Sequence, residues 1–141
     1  LSPIPGFRNW YMNLDEKFVK NILGNIPLEN ISFLKSSSFK IGDTRILSNK
    51  NAIYKLVAHY LMNEKNKKQL PINDVCRFHL GNGAIIDDIV INANISEVGF
   101  NRSFGVMVNY LYELKNIEKN HEEYINNKTI IVSNKVKKLI Q

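Results

Sequence analysis

The stretch RFHLGNGAIIDDIVINANI, residues 77–95, decides the fold because it passes from a helix through a tight turn into a strand. A short helix is expected around residues 74–78. Asn82 and Gly83 are a common turn pair, since both residue types tolerate positive φ. Residues 84–95 are rich in isoleucine and valine, which predicts a strand whose apolar run is interrupted by two aspartates. Helix and strand therefore follow each other within one short segment.

The segments on either side add a second strand and a long helix. Residues 106–114 alternate with the period of two that is typical of a strand, and the link to the first strand through Gly99 and Gly105 is expected to be short. Residues 51–64 place apolar side chains at the spacing of a core-facing helix. His59 falls outside that apolar face and is expected to be exposed.

The remaining segments are mostly helical in pattern. They are a helix over residues 14–23 that ends at Gly24, a short helix and a loop within residues 25–50, a surface helix over residues 117–125, an extended piece over residues 129–132, and a closing helix from the N-cap Ser133 through Leu139. No internal repeat or second domain boundary interrupts the chain. The expected fold class is therefore α/β or α+β.

Composition predicts a globular protein of about one domain. The chain has 141 residues, 44% of them hydrophobic, which can supply a core of ordinary size. No apolar run approaches the roughly 18 to 20 residues that cross a bilayer, so no membrane partner is expected. The single cysteine, Cys76, excludes an internal disulfide and argues against a zinc site. We expect a buried, inert thiol, although His79 follows it three residues later.

The polar residues of interest have ordinary explanations when each is taken alone. A single histidine such as His79, between Phe78 and Leu80, more often packs in a core or caps a helix than acts in catalysis. Ser2 precedes Pro3, which favours extended geometry at its predecessor. The three histidines of the chain lack metal-ligand spacing, so no metal site is expected.

Four segments taken together are far more specific: LSPIPGF at residues 1–7, FHL and NGA within residues 78–84, residues 103–112, and IE, NHE and Y within residues 117–124. In this order they resemble the C-terminal catalytic region of the malonyl-CoA decarboxylase family, from residue 1 to about residue 140. The resemblance implies part of a GNAT-like acyl-CoA domain, with a mixed sheet flanked by helices. It also implies conversion of malonyl-CoA to acetyl-CoA and carbon dioxide without a metal or organic cofactor.

The resemblance further implies roles for individual side chains. His79 matches the family's catalytic histidine and would help protonate the enolate carbon, since an imidazole with a reference pKa near 6.5 exchanges protons at ordinary pH. Ser2 matches the catalytic serine, whose hydroxyl would bind the malonyl carboxylate or relay the proton without being acylated. Tyr112 would donate a hydrogen bond and exclude solvent. Asn82 either supplies an amide donor or only forms the turn, and Tyr110 is expected to pack within its strand.

One stretch departs from the family pattern. Relatives usually carry an Asn-Trp pair and then an aspartate before a serine, whereas this chain has Val90 and Ile91, and later Asn94 before Ser96. The departure puts in doubt any contact that the replaced side chains make around the pocket. It leaves the serine, histidine and tyrosine of the family in place.

Residues 1–141 are expected to be the C-terminal portion of the catalytic domain, because the chain opens with Leu1 directly into the serine motif. The family's glycine-containing phosphate loop and its helical N-terminal domain have no counterpart here. The fragment alone is expected to bind coenzyme A poorly and to turn over little. The full-length protein is expected to form a homo-oligomer, and cytoplasmic, mitochondrial and peroxisomal locations are all compatible with these residues.

Charge leaves other partners to consider. A net charge of +6 is compatible with nucleic-acid binding, but the lysines lack the interleaved aromatics of a stacking platform, so no nucleic-acid partner is expected. A positive surface equally favours an anionic ligand such as coenzyme A. Two other functions stay open: an acyl-CoA transferase on the same scaffold, which would need an acceptor amine, and a non-catalytic binding or assembly module.

Overall fold

A computed structural model describes all residues, 1–141, as helices packed around a small sheet. The helices and strands in chain order are α1 (Phe7–Met12), α2 (Glu16–Leu23), a 3-10 helix (Leu28–Lys35), α3 (Arg45–Ser48), α4 (Lys50–Asn63), α5 (Asp74–Gly81), β1 (Ile85–Val90), α6 (Glu97–Ser103), β2 (Met107–Leu111), α7 (Ile117–Asn127) and α8 (Asn134–Leu139). The expected α+β class is confirmed.

The sheet is built on β1 and β2, which pair antiparallel with Ile85 opposite Leu111 and a bulge between Ile86 and Asp88. Two further segments add single bridges. Ser2 pairs with Val108 in antiparallel fashion, and Val132 pairs with Ile86 in parallel fashion. The two-stranded sheet thus carries one antiparallel and one parallel bridge. The opening segment of the chain lies beside β2.

Helix α4 forms the centre of the hydrophobic core. Its residues Ile53, Leu56, Val57 and Leu61 are fully buried, as the helical spacing predicts. They join a single cluster that includes Phe7 and other side chains from α1, β1, β2 and the C-terminal helices. The opening segment and the sheet therefore pack against the same hydrophobic core.

Several predicted boundaries are wrong. The first strand ends at Val90 and the second at Leu111, and the expected short link between them contains α6. Helix α6 forms because the Ser96 hydroxyl accepts a hydrogen bond from the Gly99 backbone amide, which caps its first turn. Helix α1 was not anticipated, and α5 continues three residues beyond the predicted end to Gly81.

His59 is half-buried, not exposed as predicted. Its imidazole is stacked on the Trp10 ring, with centroids 6.0 Å apart and planes 20° apart, and the Phe18 ring meets its edge. These aromatic partners come from α1 and α2, which the spacing within α4 alone does not reveal. No helix of the protein is both long enough and apolar enough to cross a membrane.

Candidate active site

Three side chains form a continuous hydrogen-bonded series around one imidazole. The Ser2 Oγ lies 3.0 Å from the His79 Nε2, and the Tyr112 hydroxyl lies 2.7 Å from the His79 Nδ1. Both ring nitrogens of the histidine are therefore occupied by hydroxyl groups. The two hydrogen-bonded pairs are 77 and 33 positions apart in the sequence.

Backbone pairing places Ser2 beside β2, the strand that Tyr112 follows. The Ser2 backbone amide donates to the Val108 carbonyl at 2.8 Å, and the Val108 amide donates back to the Ser2 carbonyl at 3.0 Å. Tyr112 directly follows the last residue of β2. The serine is thus fixed by two backbone hydrogen bonds to β2.

Asn73 links the opening segment to the helix that carries His79. Its side-chain oxygen accepts from the Cys76 backbone amide and so caps α5, while its side-chain nitrogen donates to the Pro5 carbonyl at 3.0 Å. The residue is almost fully buried, so both bonds are shielded from water. One side chain therefore sets the position of the Ser2 segment relative to the start of α5.

The turn after His79 is held from α7. The Asn120 side chain donates to the Gly83 carbonyl, and the His121 Nδ1 donates to the Gly81 carbonyl. Gly83 has φ of +91°, and a Cβ at this position would lie 2.5 Å from the Ile117 carbonyl oxygen. Only glycine combines this backbone conformation with so close an approach.

Burial dominates the electrostatics of the series. It lowers the pKa of His79 below its ordinary value, so the imidazole is neutral at pH 7. Burial also raises the pKa of Tyr112, which keeps the phenol protonated. No carboxylate forms an ion pair with His79. The three groups are therefore neutral hydrogen-bond donors and acceptors when no ligand is bound.

A neutral imidazole carries one proton, which gives the series a direction. If the Tyr112 hydroxyl donates to Nδ1, then Nε2 carries the proton and donates to the Ser2 Oγ. The Ser2 hydroxyl hydrogen is then free to point at a ligand. The arrangement can thus deliver a proton outward through the serine.

Aromatic rings enclose the imidazole. The Tyr110 ring lies against its face, with centroids 4.3 Å apart and planes 19° apart, and the Phe78 ring lies at 78° with centroids 5.3 Å apart. The face contact of Tyr110 was missed in the sequence. The period-two alternation did carry the signal, because Tyr110 and Tyr112 share one side of a strand.

Cys76 is fully buried, and burial raises the pKa of its thiol to about 11. Such a thiol is not a nucleophile at ordinary pH. The expected burial of the cysteine is confirmed, and its lack of reactivity stays a prediction. No group of three or more histidine, cysteine, aspartate or glutamate side chains is arranged to hold a metal ion.

Asn82 does not join the three central side chains. Its amide nitrogen donates to the Phe78 carbonyl at 2.8 Å, in the last turn of α5, and the side chain is exposed. At the departure from the family pattern, the Asn94 side-chain oxygen accepts from the Ser96 hydroxyl at 2.6 Å. Asn94 thereby orders the turn that leads into α6.

Comparison with known proteins places this geometry in a family. The profile described as the malonyl-CoA decarboxylase C-terminal domain matches residues 1–141. The mitochondrial malonyl-CoA decarboxylase of Mus musculus is 31% identical over an alignment of 158 residues including gaps. The alignment covers 99% of this chain and 32% of the mouse protein. The chain thus spans about a third of the length of the curated relatives it matches.

Solved structures agree with the sequence matches. The crystal structure of malonyl-CoA decarboxylase from Rhodopseudomonas palustris superimposes with a TM-score of 0.81 at 31% identity, over 99% of this chain and 32% of that one. The enzyme from Cupriavidus metallidurans gives 0.77 at 30% identity, over 99% and 37%. This chain belongs to the malonyl-CoA decarboxylase C-terminal domain family.

Proposed function

We propose that this chain supplies the acid/base residues of a malonyl-CoA decarboxylase, which converts malonyl-CoA to acetyl-CoA and carbon dioxide. The observation that carries the proposal is the hydrogen-bonded series from Ser2 through His79 to Tyr112. The names of the relatives in mouse, Rhodopseudomonas and Cupriavidus support the same activity. The substrate, the reaction and the residue roles are parts of this proposal.

The reaction breaks the bond between the carboxylate carbon and the malonyl methylene carbon. Its electron pair passes into the thioester carbonyl to form an enolate, and carbon dioxide leaves. In the proposed scheme the enolate carbon takes the Ser2 hydroxyl proton, and Ser2 takes the proton from the His79 Nε2. The Tyr112 hydroxyl proton passes to Nδ1 as Nε2 loses its own, so the imidazole stays neutral, and a proton from solvent then restores the phenol. The thioester itself accepts the electrons, so the scheme uses no cofactor.

The neutrality of the series favours proton relay over attack by the serine. A Ser-His-Asp triad has a carboxylate that stabilises the imidazolium formed when the serine becomes a nucleophile. Here the third group is the phenol of Tyr112, which lacks a negative charge at neutral pH. Ser2 therefore acts as a donor and relay in this proposal, and no acyl-enzyme forms.

Incubation of the complete polypeptide with malonyl-CoA, without any acceptor, tests the proposal. We expect acetyl-CoA and carbon dioxide in equal amounts. His79→Gln should lower kcat by about 10²- to 10⁴-fold, the usual contribution of a general acid or base. His59→Gln is the matched control, because that histidine lies on α4 among Trp10 and Phe18.

Two results would contradict the proposal. Formation of an acyl product only after an amine is added would assign the scaffold to acyl transfer. Normal turnover by folded His79→Gln and Ser2→Ala variants would make the series a packing motif, as in a binding or assembly module. We further propose that residues 1–141 alone turn over little malonyl-CoA. The complete protein is proposed to be a homo-oligomer, and light scattering measures its mass.

A further inference from the structure

His79 is held on three sides. Its two ring nitrogens contact the hydroxyls of Ser2 and Tyr112, and one ring face contacts Tyr110. Hydrogen bonds at two edges still allow the ring to rock about the line that joins them. A nearly parallel aromatic ring 4.3 Å away restricts that motion, since tilting would force the two rings into contact.

Tyr110 is itself firmly placed. Its backbone pairs with Ile86 across the sheet, and its hydroxyl is buried next to the Cys76 thiol, three residues before His79 on α5. That hydroxyl makes no hydrogen bond to an oxygen or nitrogen atom, and its polar neighbour is the weakly hydrogen-bonding Cys76 thiol. A thiol offsets little of the free energy that burying a hydroxyl costs. What the residue contributes to the site is its ring.

The ring face also matters for charge. An aromatic face attracts a cation, and the attraction increases when water is excluded. No carboxylate is paired with His79, and the remaining side chains in contact with it are the hydroxyls of Ser2 and Tyr112 and the Phe78 ring. Tyr110 is thus the group placed to favour the imidazolium.

We propose that Tyr110 is a positioning residue for His79, which fixes the plane of the imidazole between Ser2 and Tyr112 and stabilises its protonated form. Its role in turnover rests on the proposed function, whereas its effect on the imidazole is independent of it. The ring, and not the hydroxyl, carries this effect. Tyr110→Phe should therefore preserve the plane and protonation of the imidazole, and Tyr110→Leu should not.

Nuclear magnetic resonance of the histidine side chains in the 141-residue chain tests this directly. We expect Tyr110→Leu to lower the pKa of His79 by about half a pH unit or more, and to mix its tautomers. Tyr110→Phe should preserve both. His59 and His121 report in the same spectra as internal references, and Tyr54→Leu, at a half-buried tyrosine on α4, is the matched control.

A shape-preserving change covers the case in which Tyr110→Leu does not fold. Pentafluorophenylalanine at position 110 keeps the ring but reverses the charge of its face, so it should lower the pKa of His79 relative to phenylalanine. Equal pKa values and tautomers for His79 across the folded variants would overturn the inference.

Activity separates this inference from the proposed function. In the complete polypeptide, Tyr110→Leu should lower kcat at least tenfold, leave KM within about twofold, and move the acid limb of the pH profile downward; Tyr110→Phe should restore all three. A shifted His79 pKa in a complete polypeptide that does not decarboxylate malonyl-CoA supports the positioning role and contradicts the proposed function.

Discussion

Tyr112 is the residue whose hydroxyl can be removed with least disturbance, because its ring is partly exposed at the end of β2. Tyr112→Phe removes the 2.7 Å hydrogen bond to the His79 Nδ1. A hydrogen bond of this kind contributes about 1 kcal/mol, so kcat should fall by about five- to tenfold in the complete polypeptide. The unfolding free energy should change by less than about 0.5 kcal/mol.

Tyr54→Phe is the control for Tyr112→Phe, since it removes a hydroxyl from a half-buried tyrosine on α4. It should leave kcat unchanged. If Tyr112→Phe has the same kcat as the unmodified protein, the phenol has no part in directing the imidazole proton.

At single residues the sequence identifies the central side chains but not all their neighbours. Ser2, His79 and Tyr112 lie in segments that resemble the family, and the structure brings all three together. The stack of Tyr110 on the imidazole depends on the distance between α5 and β2, which no local pattern contains. Asn73 likewise looks like an ordinary cap until its second bond, to Pro5, is seen.

Among the elements, α5 has an N-cap residue, Asn73, that also holds the opening segment. Asn73→Ala removes both the cap and the bond to the Pro5 carbonyl, and leaves that buried carbonyl with a longer 3.4 Å bond from Tyr60. The unfolding free energy should fall by about 2 to 3 kcal/mol. Asp15→Ala, at the exposed cap of α2, should cost only about 1 kcal/mol.

Denaturant unfolding of Asn73→Ala and Asp15→Ala compares the two caps. Equal losses of stability would mean that the bond from Asn73 to Pro5 contributes nothing. In that case the opening segment and α5 are held together by apolar packing alone.

The turn between α5 and β1 is limited by space as well as by backbone angle. In Gly83→Ala the added Cβ stands on a backbone with φ of +91° and collides with the Ile117 carbonyl. In Gly42→Ala the φ is +83°, but the space around the added Cβ is open. Gly42→Ala should cost about 1 kcal/mol, and Gly83→Ala at least about 2 kcal/mol more. Thermal unfolding of the two variants measures the difference, and equal melting temperatures would contradict the steric account.

Element type was predictable where periodicity or capping is strong, as in α4 and α8. The closing helix begins where Ser133 predicts, with its hydroxyl accepting from the Val136 amide. Helix α6 was missed because glycine and asparagine around it are typical of links, and its stability comes from the Ser96 cap and the packing of α1 against it. For α6, packing against α1 adds to the local cap what the propensity of its residues does not supply.

Across the whole molecule, two half-buried histidines couple stability to pH. Burial lowers the pKa of His59 and of His79, so the unfolded chain binds protons more tightly at both. The stability they contribute is fully present above the unfolded pKa of about 6.5 and is lost as pH falls toward the folded values. The unfolding free energy should therefore decrease between pH 7.5 and 5.5.

His59→Gln should make this decrease smaller. The unfolding free energies of the variant and the unmodified protein above pH 7.5 serve as the baseline. Denaturant titrations at several pH values provide the slopes. An unfolding free energy that is flat or rises as pH falls through this range would contradict the burial of neutral histidines.

In the proposed scheme Ser2 and His79 act as one unit on one acyl group, and a double-mutant cycle on kcat measures that coupling. Residues that act together lose activity non-additively. In the complete polypeptide, the account predicts that Ser2→Ala combined with His79→Ala is within a few-fold of the more damaging single change. Losses that multiply, so that the double variant falls by the product of the two single effects, would contradict it.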